Sequence, residues 1–259
     1  MARTKFDGAA ARTLEAVYLA PDMVAQRARV LDLLAPRPGE RVLDIGVGPG
    51  LLALDLARLV GPSGAVTGVD VSPDMLAMSA ARLQGQPQAR LLHADAADFA
   101  ALPDAGFDAA VSTQVHEYVP DIPRALAELH RVLRPGGRAL ILDTDWRSIV
   151  WHSGDAARME RVLACWDGHL ADPHLPARLG PLLRAAGFQL LRTEIAPLYS
   201  PAWQPVSYAA GIMGQVESYV RANGLAAAEV DAWRDDQQAL IARGEFFFSL
   251  NRYIFLAVR

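Results

Sequence analysis

Val42-Leu43-Asp44-Ile45-Gly46-Val47-Gly48-Pro49-Gly50 reads as a buried strand that runs straight into a glycine-rich turn. Glycines at 46, 48 and 50 remove the Cβ atoms that would block unusual backbone angles and close approach to a ligand, and the apolar run Leu51 to Val60 continues as a helix. The spacing is G-x-G-x-G. In the dinucleotide fingerprint G-x-G-x-x-G the third glycine would fall at position 51, where Leu51 stands, and that fingerprint makes no use of Asp44, two residues ahead of the first glycine. An acid there suits a ligand that carries positive charge.

Working outward, Ala65-Val66-Thr67-Gly68-Val69-Asp70 reads as the next buried strand, and it ends in a carboxylate 20 residues after Gly50. In a doubly wound sheet an acid at the end of the second strand accepts the vicinal hydroxyls of a ribose. The pattern therefore points to a nucleoside ligand and leaves its chemistry open.

With three further stretches, the chain resembles the class I S-adenosylmethionine-dependent methyltransferases. Leu43 to Gly50 is similar to that family's first motif and Gly68-Val69-Asp70-Val71-Ser72-Pro73-Asp74-Met75-Leu76 to its second. Ala94-Asp95-Ala96 is similar to the third; Phe107-Asp108 opens strand four, and Leu133-Arg134-Pro135-Gly136-Gly137 is the turn into strand five. The resemblance runs from about Val24 to Asp145. It implies S-adenosylmethionine as cofactor, held by Asp44, Gly46, Gly48, Gly50 and Asp70. It also implies Asp95 and Ala96 at the adenine amino group, Val71 and Met75 packed on the ring, and Gln114 at the methionine end.

The fold class expected is α/β: a doubly wound, mostly parallel seven-stranded sheet with helices on both faces and the last strand antiparallel. Strands are expected near residues 41–46, 65–70, 88–93, 107–112, 137–144, 188–197 and 245–258. A single domain over 1–259 would comprise an N-terminal helical cover (1–36), a cofactor-binding core (37–145) and a helical lid inserted between strands six and seven (199–244). Within the cover, Pro21 to Leu34 carries apolar residues at helical spacing, with Tyr18 and Arg27 within reach of the cofactor. A solvated surface arginine is the plainer reading of Arg27 and weighs more. Of the 19 aromatic residues, 14 lie after position 140, the asymmetry that a ring-lined substrate pocket in the second half would need. Lid and sheet core explain those rings equally well.

Composition narrows the partners. A net charge of -4, with no cluster of basic residues, argues against nucleic acid. No stretch has the ~20 apolar residues of a membrane span, and Met1 to Phe6 lacks a signal peptide's apolar core, so a cytoplasmic protein with no membrane partner is expected. Cys165 is the only cysteine, which excludes an internal disulfide. Oligomeric state is not legible.

Methyl transfer mostly requires alignment in a dry site, with a base where the acceptor must lose a proton. His116, after strand four, and Asp145, after strand five, are the candidate catalytic residues; a half-buried structural histidine is the plainer reading of the first. Glu117 and Tyr118 read as helix-start and packing residues, and His152 as a possible orienting group. No metal is expected: the acids after strand five lack a third ligand, and His169, Asp172 and His174 are too sparse. The function expected is methylation of a small, aromatic or polyketide- or quinone-like molecule, with oxygen or carbon favoured as acceptor. The alternatives are a catalytically silent cofactor-binding scaffold or regulator, and a nucleic-acid or protein methyltransferase. Against amino-directed DNA enzymes, Ser112-Thr113-Gln114-Val115 replaces their Asn/Asp-Pro-Pro-aromatic motif.

Overall fold

The computed structural model describes residues 15–259, and among them eight strands form one sheet flanked by the α-helices named below, with residues 15–18 also helical. The first fourteen residues, part of the expected 1–36 cover and including the Met1 to Phe6 stretch, lie outside the described residues. In chain order the first half consists of α1 (Pro21–Leu34), β1 (Arg41–Ile45), α2 (Leu51–Val60), β2 (Ala65–Asp70), α3 (Pro73–Arg82), β3 (Ala89–His93) and β4 (Phe107–Thr113). Then follow α4 (Ile122–Val132), β5 (Leu133–Thr144), β6 (Val150–Trp151), α5 (Ala156–Asp167) and α6 (Pro176–Ala185). The chain ends with β7 (Gln189–Ser200), α7 (Tyr208–Ala222), α8 (Ala227–Arg243) and β8 (Phe248–Val258).

The sheet order is β3-β2-β1-β4-β5-β8-β6, with β7 also paired to β8. The first five strands run parallel, and β8 is antiparallel to β5, β6 and β7. Two-residue β6 adds to the seven strands expected; Val150 and Trp151 pair with Ser249 and Phe248, beyond the end of β5. A pair that short carries no hydrophobic period. Strand β5 starts at Leu133, ahead of the expected 137, because Phe107 pairs with Leu133 before the ladder resumes at Ala109 and Arg138. Likewise β7 runs on to Ser200, so the insertion begins after it.

Parallel strands must be covered on both faces, and two apolar clusters do this. One joins Val42, Val66 and Val111 to α1 and α2, and the other joins Leu43, Ile45 and Ala110 to α4 and α6. A third cluster, rich in aromatic rings, lies between α5, α7, α8 and the far ends of β7 and β8. The chain leaves β1 for β2 on one side and returns to β4 on the other. This reversal opens a crevice at the carboxyl ends of β1 and β4, where ligands of such sheets bind. None of the described helices is long and apolar enough to cross a membrane.

Candidate active site

The turn after β1 is shaped by its three glycines, at φ 67° (Gly46), 52° (Gly48) and 80° (Gly50). A Cβ on Gly46 would come within 2.2 Å of Val115 Cγ2, and one on Gly50 within 2.5 Å of Ser79 Oγ, so both glycines serve packing inside the protein. Gly48 differs, for the nearest atom a Cβ would meet is 3.9 Å away, and it faces a cavity.

That cavity, about 740 Å³, lies within the size range of small-molecule sites. Gly46, Gly48, Asp70, Val71, Met75, Asp95, Ala96 and Gln114 all line it, whereas Asp44 and Gly50 stand behind the wall. The carboxylate of Asp70 accepts the Gly48 N–H (2.9 Å) and the Ser72 N–H (2.9 Å), joining the glycine turn to the loop after β2. Ser72 then caps α3 by accepting the Met75 N–H, which brings the buried Met75 to the cavity floor. Asp95 Oδ1 accepts the Ala97 N–H (2.9 Å), so its turn is preset. Gln114 takes φ 58°, an unusual value for a side-chain-bearing residue, and its N–H donates to Leu142 (2.7 Å); this kink at the end of β4 faces it into the cavity.

Asp44 is buried, and its Oδ2 finds no hydrogen-bond donor among the described residues. Burial, reinforced by the Asp70 charge, pushes its carboxyl up to about 8. Such an acid is protonated at neutral pH and becomes comfortable as an anion once a cation sits nearby.

At its other end the cavity is aromatic, walled by Tyr18, Tyr118, Trp146, Trp166, His169 and Tyr208. Tyr18 precedes α1, and the Arg27 guanidinium, also on the wall, is held by Asp55 (3.1 Å) and the Tyr18 carbonyl (3.2 Å). Tyr208 opens α7 and lies under the Arg252 guanidinium, 4.6 Å from its ring centre. Within the insertion, Tyr208, Ile212 and Gln215 of α7 line the cavity, and no residue of α8 does. Trp203 packs on Phe246 and Tyr219 on Trp166, while Tyr199 is exposed. The late-sequence rings thus largely fill the third apolar cluster, and the cavity draws Tyr18 and Tyr118 from the first half.

Neither candidate catalytic residue lines the cavity. His116 is fully buried with Nδ1 2.9 Å from Ser112 Oγ and no partner for Nε2 among the described residues, and burial pushes it down to about 4. The backbone turn at Gln114 faces Gln114 and Val115 into the cavity and rotates His116 behind them. Asp145 caps the short 3-10 turn Trp146–Ser148 through the Arg147 N–H and pairs with the Arg147 and His174 side chains (3.3 and 3.2 Å). Exposed His152 uses its backbone, accepting from Gln237 Nε2 (3.0 Å). Among the described residues, no group of three His, Cys, Asp or Glu side chains is placed to hold a metal ion.

The methyltransferase-domain family model matches residues 43–141, which hold the glycine turn, Asp70, Asp95 and Gln114. Over those residues the chain matches a methyltransferase domain. The chain is similar to an uncharacterized 37.1 kDa protein of a Streptomyces fradiae transposon, 32% identical over 236 residues, or 88% of this chain and 65% of that protein. It is similar to 2-phytyl-1,4-naphtoquinone methyltransferase of a Nostoc species, 46% identical over 110 residues, covering 41% of this chain and 48% of that one. The chain thus spans less than two thirds of the length of these relatives. Among solved structures it is similar to the 4+2 cyclase SpnF, at 26% identity and TM-score 0.58 over 91% of this chain and 80% of that one. Residues 43–141 supply the glycine-turn half of the cavity and Tyr118; the other rings of the aromatic half come from the segment before α1 (Tyr18), the turn after β5 (Trp146), α5 (Trp166), the turn after it (His169) and α7 (Tyr208).

Of the wall residues, His169, Trp166 and Ile212 carry no functional signal in the sequence. They approach the domain only through the packing of α5 and α7, whose spacing along the chain says nothing of their contact.

Proposed function

We propose that the protein is an S-adenosylmethionine-dependent methyltransferase acting on oxygen or carbon of a small, aromatic, quinone- or polyketide-like acceptor. The carrying observation is that one continuous cavity joins the Gly48–Asp70–Asp95 wall to the aromatic end. Two features support the cofactor: Gly48 leaves cavity space that a side chain would fill, and the Asp70 carboxylate lines the same cavity, fixed there by the Gly48 and Ser72 N–H groups. When bound, S-adenosylmethionine supplies a methyl group on a cationic sulfur.

The chain's own residues do the rest. Asp70 grips the ribose hydroxyls with lone pairs left over from its two backbone bonds. Asp95 and Ala96 meet the adenine edge, with Val71 and Met75 against its face. Gln114 bonds to the methionine end, and Asp44, behind the wall, acts on its ammonium charge only at a distance. Tyr18, Trp146 and Tyr208 hold the acceptor's apolar body and keep water from the transfer path, so positioning supplies much of the rate. The insertion acts as a lid through α7 alone, with α8 as its support.

Calorimetry with S-adenosylmethionine, adenosylhomocysteine and NAD is the first test. Binding of both sulfur nucleosides and no binding of NAD is expected, and the reverse would overturn the reading. Transfer of labelled methyl groups to hydroxylated naphthoquinols follows. A protein that binds the cofactor and methylates none of a broad acceptor panel, yet catalyses a 4+2 cyclisation, would be a cyclase built on this domain.

A further inference from the structure

His169 occupies the turn after α5, and its side chain is mostly buried at the cavity wall. Its Nδ1 is hydrogen-bonded to the Trp166 carbonyl. A carbonyl only accepts, so Nδ1 carries the hydrogen and Nε2 keeps a lone pair. No hydrogen bond to Nε2 occurs among the described residues. The ring stacks on Trp166 at 3.7 Å and meets the edge of Trp146 at 5.6 Å, which fixes its plane. The titratable groups facing it are the Tyr118 and Tyr219 phenols, both pushed up by burial and neutral near physiological pH. Burial likewise pushes the imidazole down to about 4, so it is uncharged there with its Nε2 lone pair unprotonated. His116, by contrast, has its Nδ1 paired and its Nε2 enclosed by protein.

We propose that His169 is a catalytic residue, its Nε2 accepting the proton of a phenol or enol acceptor whose ring lies among Tyr118, Trp146 and Trp166. The inference rests on the methyl-transfer reading above. The acceptor's O–H bond breaks with its electron pair remaining on oxygen, and the proton passes to Nε2. That oxygen bonds to the transferred methyl carbon while the carbon–sulfur bond breaks toward sulfur. The imidazolium keeps its Nδ1–H on the Trp166 carbonyl and releases the Nε2 proton to solvent with the product.

The first test needs no turnover. 1-Naphthol and 1-methoxynaphthalene share a ring system and differ in the O–H, and quenching of tryptophan fluorescence reads their binding in the presence of adenosylhomocysteine. The wild type should prefer the naphthol by about 3- to 10-fold, the range of one net hydrogen bond. His169→Phe, which keeps a ring on Trp166, should bind the two alike. Equal affinities in the wild type, or a preference that survives in His169→Phe, would overturn the proposal. Should His169→Phe fail to fold, His169→Asn takes its place with the same expectation, since its amide still donates to the Trp166 carbonyl and offers nothing at the Nε2 position.

With an acceptor that turns over, His169→Asn should lower kcat by about 10² to 10⁴ and leave KM and cofactor affinity near wild type. An unchanged kcat would remove His169 from catalysis and leave methyl transfer standing. A wild type that prefers naphthol yet transfers no methyl group would support the Nε2 assignment and count against the methyl-transfer reading.

Discussion

Asp70 does two jobs with one carboxylate, because the oxygens aimed at the cavity also accept the Gly48 and Ser72 N–H groups. Asp70→Ala should therefore weaken cofactor binding by about 2 to 4 kcal/mol, combining lost charge-assisted bonds with a loosened turn. Gly48→Val should be worse for binding and mild for folding, since its Cβ meets no protein atom nearer than 3.9 Å while the φ of 52° costs about 1–2 kcal/mol. Titration calorimetry beside thermal melts checks both, and wild-type affinity in folded variants would remove these residues from the site. For His116 the structure reverses the expected outcome. With its ring sealed behind Gln114 and Val115, His116→Ala should cost about 1–3 kcal/mol of stability and change kcat less than about twofold. A large drop in kcat at unchanged stability would return the residue to the catalytic machinery. Position after β4 was legible in the sequence; the direction of each side chain was not, because the left-handed turn at Gln114 decides it.

Strands β1 to β5 and helices α1 to α4 follow from periodicity and glycine punctuation, and α1 spans the Pro21 to Leu34 stretch marked out by its apolar spacing. The insertion is different: its helical character is legible, its division into two helices with different tasks is not. Helix α7 forms cavity wall, whereas α8 buries Trp233 against Trp151 and Gln237 beneath the sheet's end. The Gln237 amide accepts the Trp151 Nε1–H (2.9 Å) and donates to the His152 carbonyl (3.0 Å). Gln237→Leu strands both partners in an apolar setting and should cost about 2 kcal/mol or more. Cofactor affinity should not move, as α8 lies outside the cavity. Differential scanning calorimetry with and without adenosylhomocysteine reads this, and an unchanged melting temperature would show that α8 does not depend on the bridge.

For the whole molecule, buried ionisable groups set the dependence on pH. Burial raises the carboxyls of Asp44, Glu117 and Asp143, the last two eased by Arg252, and lowers His116 and His169. Between about pH 7 and 8 the histidines are neutral folded and largely so unfolded, while the unfolded chain has already released the carboxyl protons that the folded chain still holds. Unfolding in that window releases protons, so stability of the cofactor-free protein should fall as pH rises. Asp44→Asn should flatten the slope, and bound S-adenosylmethionine should flatten it too by favouring the Asp44 anion. Urea melts across the window test this, and a slope identical in Asp44→Asn would detach Asp44 from it. The sequence by itself marked out the parallel sheet and the residues Gly46, Gly48, Asp70, Val71, Met75, Asp95, Ala96 and Gln114 that line one cavity, because they sit on contiguous strand-turn-helix units, while Asp44 and Gly50 stand behind its wall. Tertiary structure alone decided the aromatic end of the cavity, where Tyr18, Trp146, His169 and Tyr208 meet from far along the chain. Burying aromatic surface brought them together, and that force is non-directional and writes no local spacing into the sequence.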